Sequence, residues 1–195
     1  MGWQSNLPPA TPDGVVLAGW WKRVLARIID SLIVTMVALP LTFSPLERIT
    51  TIYSDYFRKA MDAAAASSTT VPAPPTAELL GPILQYSLTV LALYLVYEIA
   101  LLTMTGATLG KKIVGISVRL RDKPGPPPLV TVLKRTAVKE LGTLAGSVPV
   151  VGIFGSIFSL LNVLWPLWDS KRQAIHDKAG ATNVVVGPQP KKRDA

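Results

Sequence analysis

An aspartate inside an apolar helix is the feature that most constrains this chain. Residues 20–43 begin with two tryptophans and three cations and continue into an apolar run that contains Asp30. A carboxylate in hydrocarbon costs several kcal/mol, so an acid at this depth requires a partner or water. Arg27 precedes it by three residues, and side chains at this spacing share one helix face. Arg27 can bind the carboxylate while its stem extends towards the membrane interface.

The composition agrees with a membrane protein. Charged residues make up 16% of the chain, whereas soluble domains carry about a quarter. The formal net charge of +8 accompanies hydrophobic segments, which favours contact with anionic lipid over binding of nucleic acid. The absence of cysteine excludes a disulfide framework and thiolate chemistry.

Two apolar segments are long enough to cross a bilayer. The first span is predicted over 24–43, where Pro40 marks a kink or stop, and a further helical piece over 46–66. The first span resembles a signal peptide, but its internal aspartate and the lack of a small-residue cleavage site predict an uncleaved helix. The second span is predicted over 82–105 and contains one acid, Glu98.

The segment after the second span is strongly basic. Residues 106–140 carry eight cations and two acids, and the tail carries six cations and three acids. The positive-inside rule therefore places this loop and both termini in the cytoplasm. Ile113–Leu120 and Val184–Val186 have the composition of strands, which predicts a small cytoplasmic β-pair.

The apolar segment that follows the loop has two interpretations. Two cytoplasmic flanks favour a broken helical hairpin with arms over 129–147 and 152–168, whereas a single crossing would place the tail outside. With the hairpin, the predicted fold class is an all-α integral membrane protein. Two transmembrane helices and the two arms of the C-terminal broken hairpin make four membrane elements. Gly142 and Gly146 form a GxxxG pattern that allows close helix contact, within the hairpin or between subunits.

The intramembrane charges are predicted to lie at one depth. Asp30 lies about 9 Å and Glu98 about 10 Å from the cytoplasmic ends of their helices, at 1.5 Å per residue. Arg27 lies nearer that surface and can reach both carboxylates, so we expect the three to form one cluster. One cation with two acids leaves a formal charge of −1, which Lys111 or Arg135 from the loop could neutralise.

Four blocks of the sequence resemble the RDD family of bacterial membrane proteins, which is named for one arginine and two aspartates. They are Gly19–Asp30, Glu98 followed by Gly106–Lys111, Gly115–Val118, and Ala174–Thr182. The resemblance implies a multi-spanning membrane domain with a role in transport. It identifies Arg27 and Asp30 as the named arginine and first aspartate. It leaves Asp169 and Asp177 open for the second aspartate.

The resemblance extends over 19–186, between a disordered lead (1–18) and a basic tail (187–195). Within it, the family motif residues are Gly110, Lys111, Asp169, His176 and Asp177. One departure is Ala181, which separates a glycine and a threonine that are usually adjacent in the family.

Three functions are considered for this chain. The first is transport of ions or small solutes through the buried charges, and the second is a non-catalytic scaffold or accessory subunit. An enzyme ranks last, because one histidine and no cysteine offer little for a metal or nucleophile, and no cofactor is expected. The predicted partners are the bilayer, anionic headgroups near Lys111, Lys112 and Arg172, and a second copy or another membrane protein.

Overall fold

The structure is a computed structural model that describes residues 8–67, 70, 72–146 and 151–190. The described part of the chain is mostly helical and contains one pair of strands. The elements in chain order are α1 (Trp20–Ala65), α2 (Thr76–Thr105), α3 (Leu109–Val114), β1 (Ile116–Leu120), α4 (Leu129–Gly146), α5 (Gly152–Leu164), a 3₁₀ turn (Trp165–Leu167), α6 (Ile175–Ala179) and β2 (Thr182–Val186).

Helices α1 and α2 are long and apolar enough to cross a membrane. Large apolar side chains along them are exposed, including Met36 at 73% and Val96 at 69%. Contiguous apolar surface of this kind is rare in soluble monomers and suits contact with lipid. The two helices therefore supply the apolar surface that a membrane-spanning protein requires.

Both long helices extend beyond the predicted spans. Helix α1 does not stop near Phe43 but continues through Pro40 and Pro45 to Ala65, over 46 residues or about 69 Å. Each proline removes one backbone donor, and such interruptions are tolerated in membrane helices. Helix α2 begins at Thr76 rather than at residue 82. The negative charge of Glu78 in its first turn interacts favourably with the positive end of the helix dipole and so stabilises this earlier start.

The chain divides into two compact units. The first comprises Met1–Leu32 and Leu95–Ala195, and the second comprises Ile33–Tyr94. The core of the first unit contains Ala26, Leu102, Val132 and the strand residues Val118 and Val184. In the second unit, the buried apolar residues include Val34, Ala38, Leu79 and Tyr94, and the Thr42 hydroxyl donates back to the carbonyl of Ala38 at 3.0 Å.

Strands β1 and β2 pair antiparallel, with Val118 opposite Val184. The predicted strand over 113–120 began too early, because residues 109–114 form helix α3, which Gly115 ends at a φ of 73°. The side of the membrane on which the pair lies stays a prediction.

The N-terminal lead, which was predicted to be disordered, differs from that prediction over residues 8–18. Leu17 forms a bridge with Val185 of β2, and Asp13 forms an ion pair with the buried Arg119 at 2.8 Å. Leu17 itself is buried. An apolar anchor and an ion pair therefore hold this segment to the β-pair.

Helices α4 and α5 occupy the two arms of the predicted hairpin. A Cβ added to Gly155 of α5 would lie 2.8 Å from the carbonyl oxygen of Gly142 in α4, a distance that real Cβ atoms do not adopt. The glycine pattern thus serves contact within the hairpin. Most of the predicted turn, residues 147–150, lies outside the described residues, and the membrane position of both helices stays a prediction.

Candidate functional site

Asp30 lies on α1, is fully buried and accepts three hydrogen bonds from the segment 97–110. The Tyr97 hydroxyl donates to Oδ1 at 2.6 Å, the Thr108 hydroxyl donates to Oδ2 at 2.6 Å, and the Gly110 backbone N–H donates to Oδ1 at 2.7 Å. Such bonds stabilise the ionised carboxylate and replace the water that it has lost.

Gly110 allows this close approach between α3 and α1. A Cβ at this position would lie 2.8 Å from Asp30 Oδ1 and would also clash with the carbonyl oxygen of Ala26. The Thr108 side chain makes no capping bond at the start of α3. The carboxylate of Asp30 bonds a backbone N–H there, close to the positive end of the short helix.

Lys111 connects Asp30 to the other charges. Its ammonium donates to the Thr108 hydroxyl at 3.2 Å and lies 3.8 Å from Asp30 Oδ2. Burial lowers the pKa of Lys111, whereas the nearby carboxylates of Glu98 and Asp30 raise it. The carboxylates of Asp30 on α1 and Glu98 on α2 thus both act on one buried cation.

Glu98 of α2 is fully buried and is bound by Lys139 of α4. The ammonium donates to both carboxylate oxygens, at 2.8 and 2.7 Å. The same ammonium lies 3.8 Å from Glu140, and Arg27 lies 3.7 Å from Glu140. Charges from α1, α2, α3 and α4 therefore form one contiguous group.

Asp177 of α6 is the centre of a second buried ion pair. Arg23 of α1 donates to Oδ2 at 2.7 Å, and Arg135 of α4 donates to Oδ1. Burial opposes ionisation, yet the charges of Arg135 and Arg23 hold the pKa of Asp177 well below its usual range. One carboxylate thus joins two helices to the C-terminal block.

His176 is held as a neutral ring beside this pair. Its Nδ1 lies 2.9 Å from Asn162 Oδ1, and Nε2 lies 3.2 Å from an Arg135 nitrogen. An amide oxygen can only accept and a guanidinium can only donate, so the proton belongs on Nδ1. Burial lowers the pKa of His176 to about 3, and the charge of Arg135 acts in the same direction.

Asp169, the other aspartate that the sequence left open, has a different environment. It pairs with the half-exposed Lys178 and accepts backbone N–H groups from Lys171 and Gln173. These are contacts within one local turn. Of the two candidates, only Asp177 joins separate helices, and its arginine partners are Arg23 and Arg135 rather than Arg27.

A cavity of about 230 Å³ adjoins both groups of charges within the first unit. Among the described residues, five cations and no carboxylate line it; the cations are Arg23, Arg27, Lys111, Arg135 and Lys139. Apolar side chains such as Trp20, Val24 and Ile116 form most of the remaining wall, and the Trp20 indole donates to the carbonyl of Val163 at 2.9 Å. The arrangement can accommodate a small solute beside buried charge.

Three of the sequence-predicted site residues line this cavity, namely Arg27, Lys111 and His176. Arg27 was expected to reach both Asp30 and Glu98, but the structure pairs it with Glu140, and Lys139 binds Glu98. Arg23 was not singled out from the sequence. Arg23, Arg27 and Asp30 are spaced by four and three residues, so the helical period alone could have placed all three on one face. Over the described ranges, no group of three or more acidic, histidine or cysteine side chains could hold a metal ion.

Comparison with known proteins gives one match. No curated protein and no solved structure matches this chain. Residues 17–181 match the sequence profile of the RDD family, which covers most of the chain and includes the cationic start of α1, the Asp30 contacts and the Asp177 block. The chain therefore belongs to the RDD family.

Proposed function

We propose that this is a non-catalytic, multi-pass protein of the bacterial plasma membrane that takes part in transport of ions or small solutes. Both termini and the basic loop are cytoplasmic in this proposal. The observation that carries it is the cavity in the first unit, where buried ion pairs adjoin a space that a solute can occupy. Intramembrane charge is expensive and commonly marks a pathway.

Flux through the purified protein in liposomes tests this function. The variants Asp30→Asn and Glu98→Gln each remove a buried charge while preserving side-chain shape. We expect lost flux of protons, cations or small anions at unchanged protein level. Glu47→Gln, at an exposed position of α1, is the matched control and should retain flux. Loss of the protein itself in both variants would argue against a pathway.

A scaffold or accessory role is the second candidate, and one observation favours it. Both carboxylates are fully engaged: Asp30 accepts three hydrogen bonds, and Glu98 binds one ammonium through both oxygens. Groups satisfied in this way join helices well and exchange ligands poorly. A silent liposome assay together with a stably co-purifying membrane protein would support this role.

A further inference from the structure

We propose that the cavity in the first unit binds a phosphate-bearing anion that also carries an apolar part. This names a ligand class for the site of the proposed function and rests on that function only for movement of the ligand. Binding itself requires no transport. The ligand can be an anionic phospholipid headgroup or a soluble organic phosphate, which share this chemistry.

The charge of the lining is the first argument. The five lining cations are accompanied by four buried carboxylates, Asp30, Glu98, Glu140 and Asp177, none of which lines the cavity. His176 is neutral, so the five cations and four carboxylates together have a formal charge of +1. The lining thus presents positive charge to an occupant and keeps negative charge behind it, an arrangement that attracts anions.

Unused hydrogen-bond donors are the second argument. The Lys111 ammonium has three donors, but makes one described hydrogen bond at 3.2 Å and one ion pair at 3.8 Å. Lys111 lines the cavity, and an anionic oxygen placed there would accept from its remaining donors.

The shape and chemistry of the wall select among anions. Several cations can share one phosphate group, which offers two unesterified acceptor oxygens and one negative charge in a lipid diester, and three oxygens and up to two charges in a monoester. Val24, Ile28 and Ile116 add an apolar surface that a bare inorganic ion would leave uncovered. A volume of about 230 Å³ holds a headgroup or a small organic phosphate and excludes a nucleic acid.

Binding to the full chain in a nonionic detergent tests the proposal. Short-chain phosphatidylglycerol, short-chain phosphatidylcholine and phenyl phosphate are titrated separately, and Kd is measured by calorimetry. We expect phosphatidylglycerol or phenyl phosphate to bind and phosphatidylcholine to bind at least about tenfold more weakly, a difference of about 1.4 kcal/mol. Inorganic phosphate should compete with the bound ligand.

Two variants and two matched controls locate the site. Lys111→Gln and Arg27→Gln should each raise Kd about tenfold or more, as expected for loss of a charge-assisted bond. Arg27 is 42% exposed, so its replacement tests the cavity without emptying the core. Lys112→Gln and Lys22→Gln remove neighbouring exposed cations outside the lining and should change Kd less than about twofold.

The outcomes separate the two sources and the two proposals. Binding of phosphatidylglycerol alone assigns the site to lipid headgroups, whereas binding of phenyl phosphate assigns it to soluble organic phosphates. Binding of neither, or equal losses in Lys111→Gln and Lys112→Gln, overturns the site. Binding without flux supports the site and contradicts transport, and flux without binding contradicts the site alone.

Discussion

Two buried aspartates of this chain are neutralised by different means. Asp30 is held by neutral donors with a lysine at 3.8 Å, whereas Asp177 is held directly by two arginines. The first arrangement depends on close backbone approach, and the second depends on charge. Substitutions at the first aspartate site should therefore act mainly through steric overlap, and substitutions at the second through loss of charge pairing.

Gly110→Ala tests the close approach at Asp30. The added Cβ would overlap the carbonyl oxygen of Ala26 and Asp30 Oδ1, so we expect a loss of about 1–3 kcal/mol in unfolding free energy. The control is Gly81→Ala in α2, where a Cβ meets nothing within 4 Å. It should be neutral or stabilising by up to about 1 kcal/mol. Equal effects of the two changes would contradict the contact.

His176 should stay neutral across the physiological range. Because its pKa falls to about 3 in the folded chain, its resonances should not shift between pH 5 and 8. It is the single histidine of the chain, so NMR of a tag-free sample reports on it alone. A titration midpoint near 6.5 would contradict the buried ring.

The same shift predicts how stability depends on pH. The unfolded chain takes up a proton as the pH falls below about 6.5, while the folded chain does not until about 3. The contribution of neutral His176 to the free energy of unfolding is therefore fully present above pH 6.5. It decreases as the pH falls further, by about 2 kcal/mol at pH 5. His176→Asn should remove this component, as measured by unfolding at pH 7 and pH 5. An unchanged difference in the variant would assign the loss to other groups.

At the scale of elements, the Arg23–Asp177 pair joins α1 to α6. Asp177→Asn would leave two buried guanidinium groups without their carboxylate, so we expect a loss of about 3–5 kcal/mol. Asp169→Asn breaks a pair with a half-exposed lysine and should cost no more than about 1 kcal/mol. Thermal unfolding in detergent measures both. The reverse order would identify Asp169 as the aspartate that holds the elements together.

The sequence predicted those elements that have a strong local signal. Apolar runs long enough to cross a bilayer give α1 and α2, and the β-branched runs give the paired strands. The ends of the elements were harder to predict. Pro40 and Pro45 do not end helix α1, and the start of the predicted strand belongs to α3, which ends at Gly115. Contacts beyond the local pattern decided these boundaries.

The candidate site was predictable in part. Asp30 and Glu98 are conspicuous because carboxylates are rare in apolar helices. Their actual partners, Lys139 and the hydroxyl groups of Tyr97 and Thr108, belong to residues distant in the chain or uncharged. No helical or strand period relates such residues, so their pairing follows only from the fold.

The proposed topology of the molecule places the lead, the basic loop and the tail on one side of the membrane. Leu17 bridges to Val185, and β2 pairs with β1, so these three segments belong to one unit. In the proposed topology α1 and α2 each cross the membrane once, which makes an even number of crossings between the lead and the loop. The chain between the basic loop and the tail must also make an even number of crossings in this topology.

Single-cysteine labelling in intact cells tests this claim most directly, because the chain has no cysteine of its own. The positions are Lys123→Cys in the loop and Pro190→Cys in the tail, with Ser67→Cys between α1 and α2 as the control for outside exposure. We predict that a membrane-impermeant maleimide labels only Ser67→Cys until the cells are permeabilised. Labelling of Pro190→Cys but not Lys123→Cys in intact cells would contradict the account.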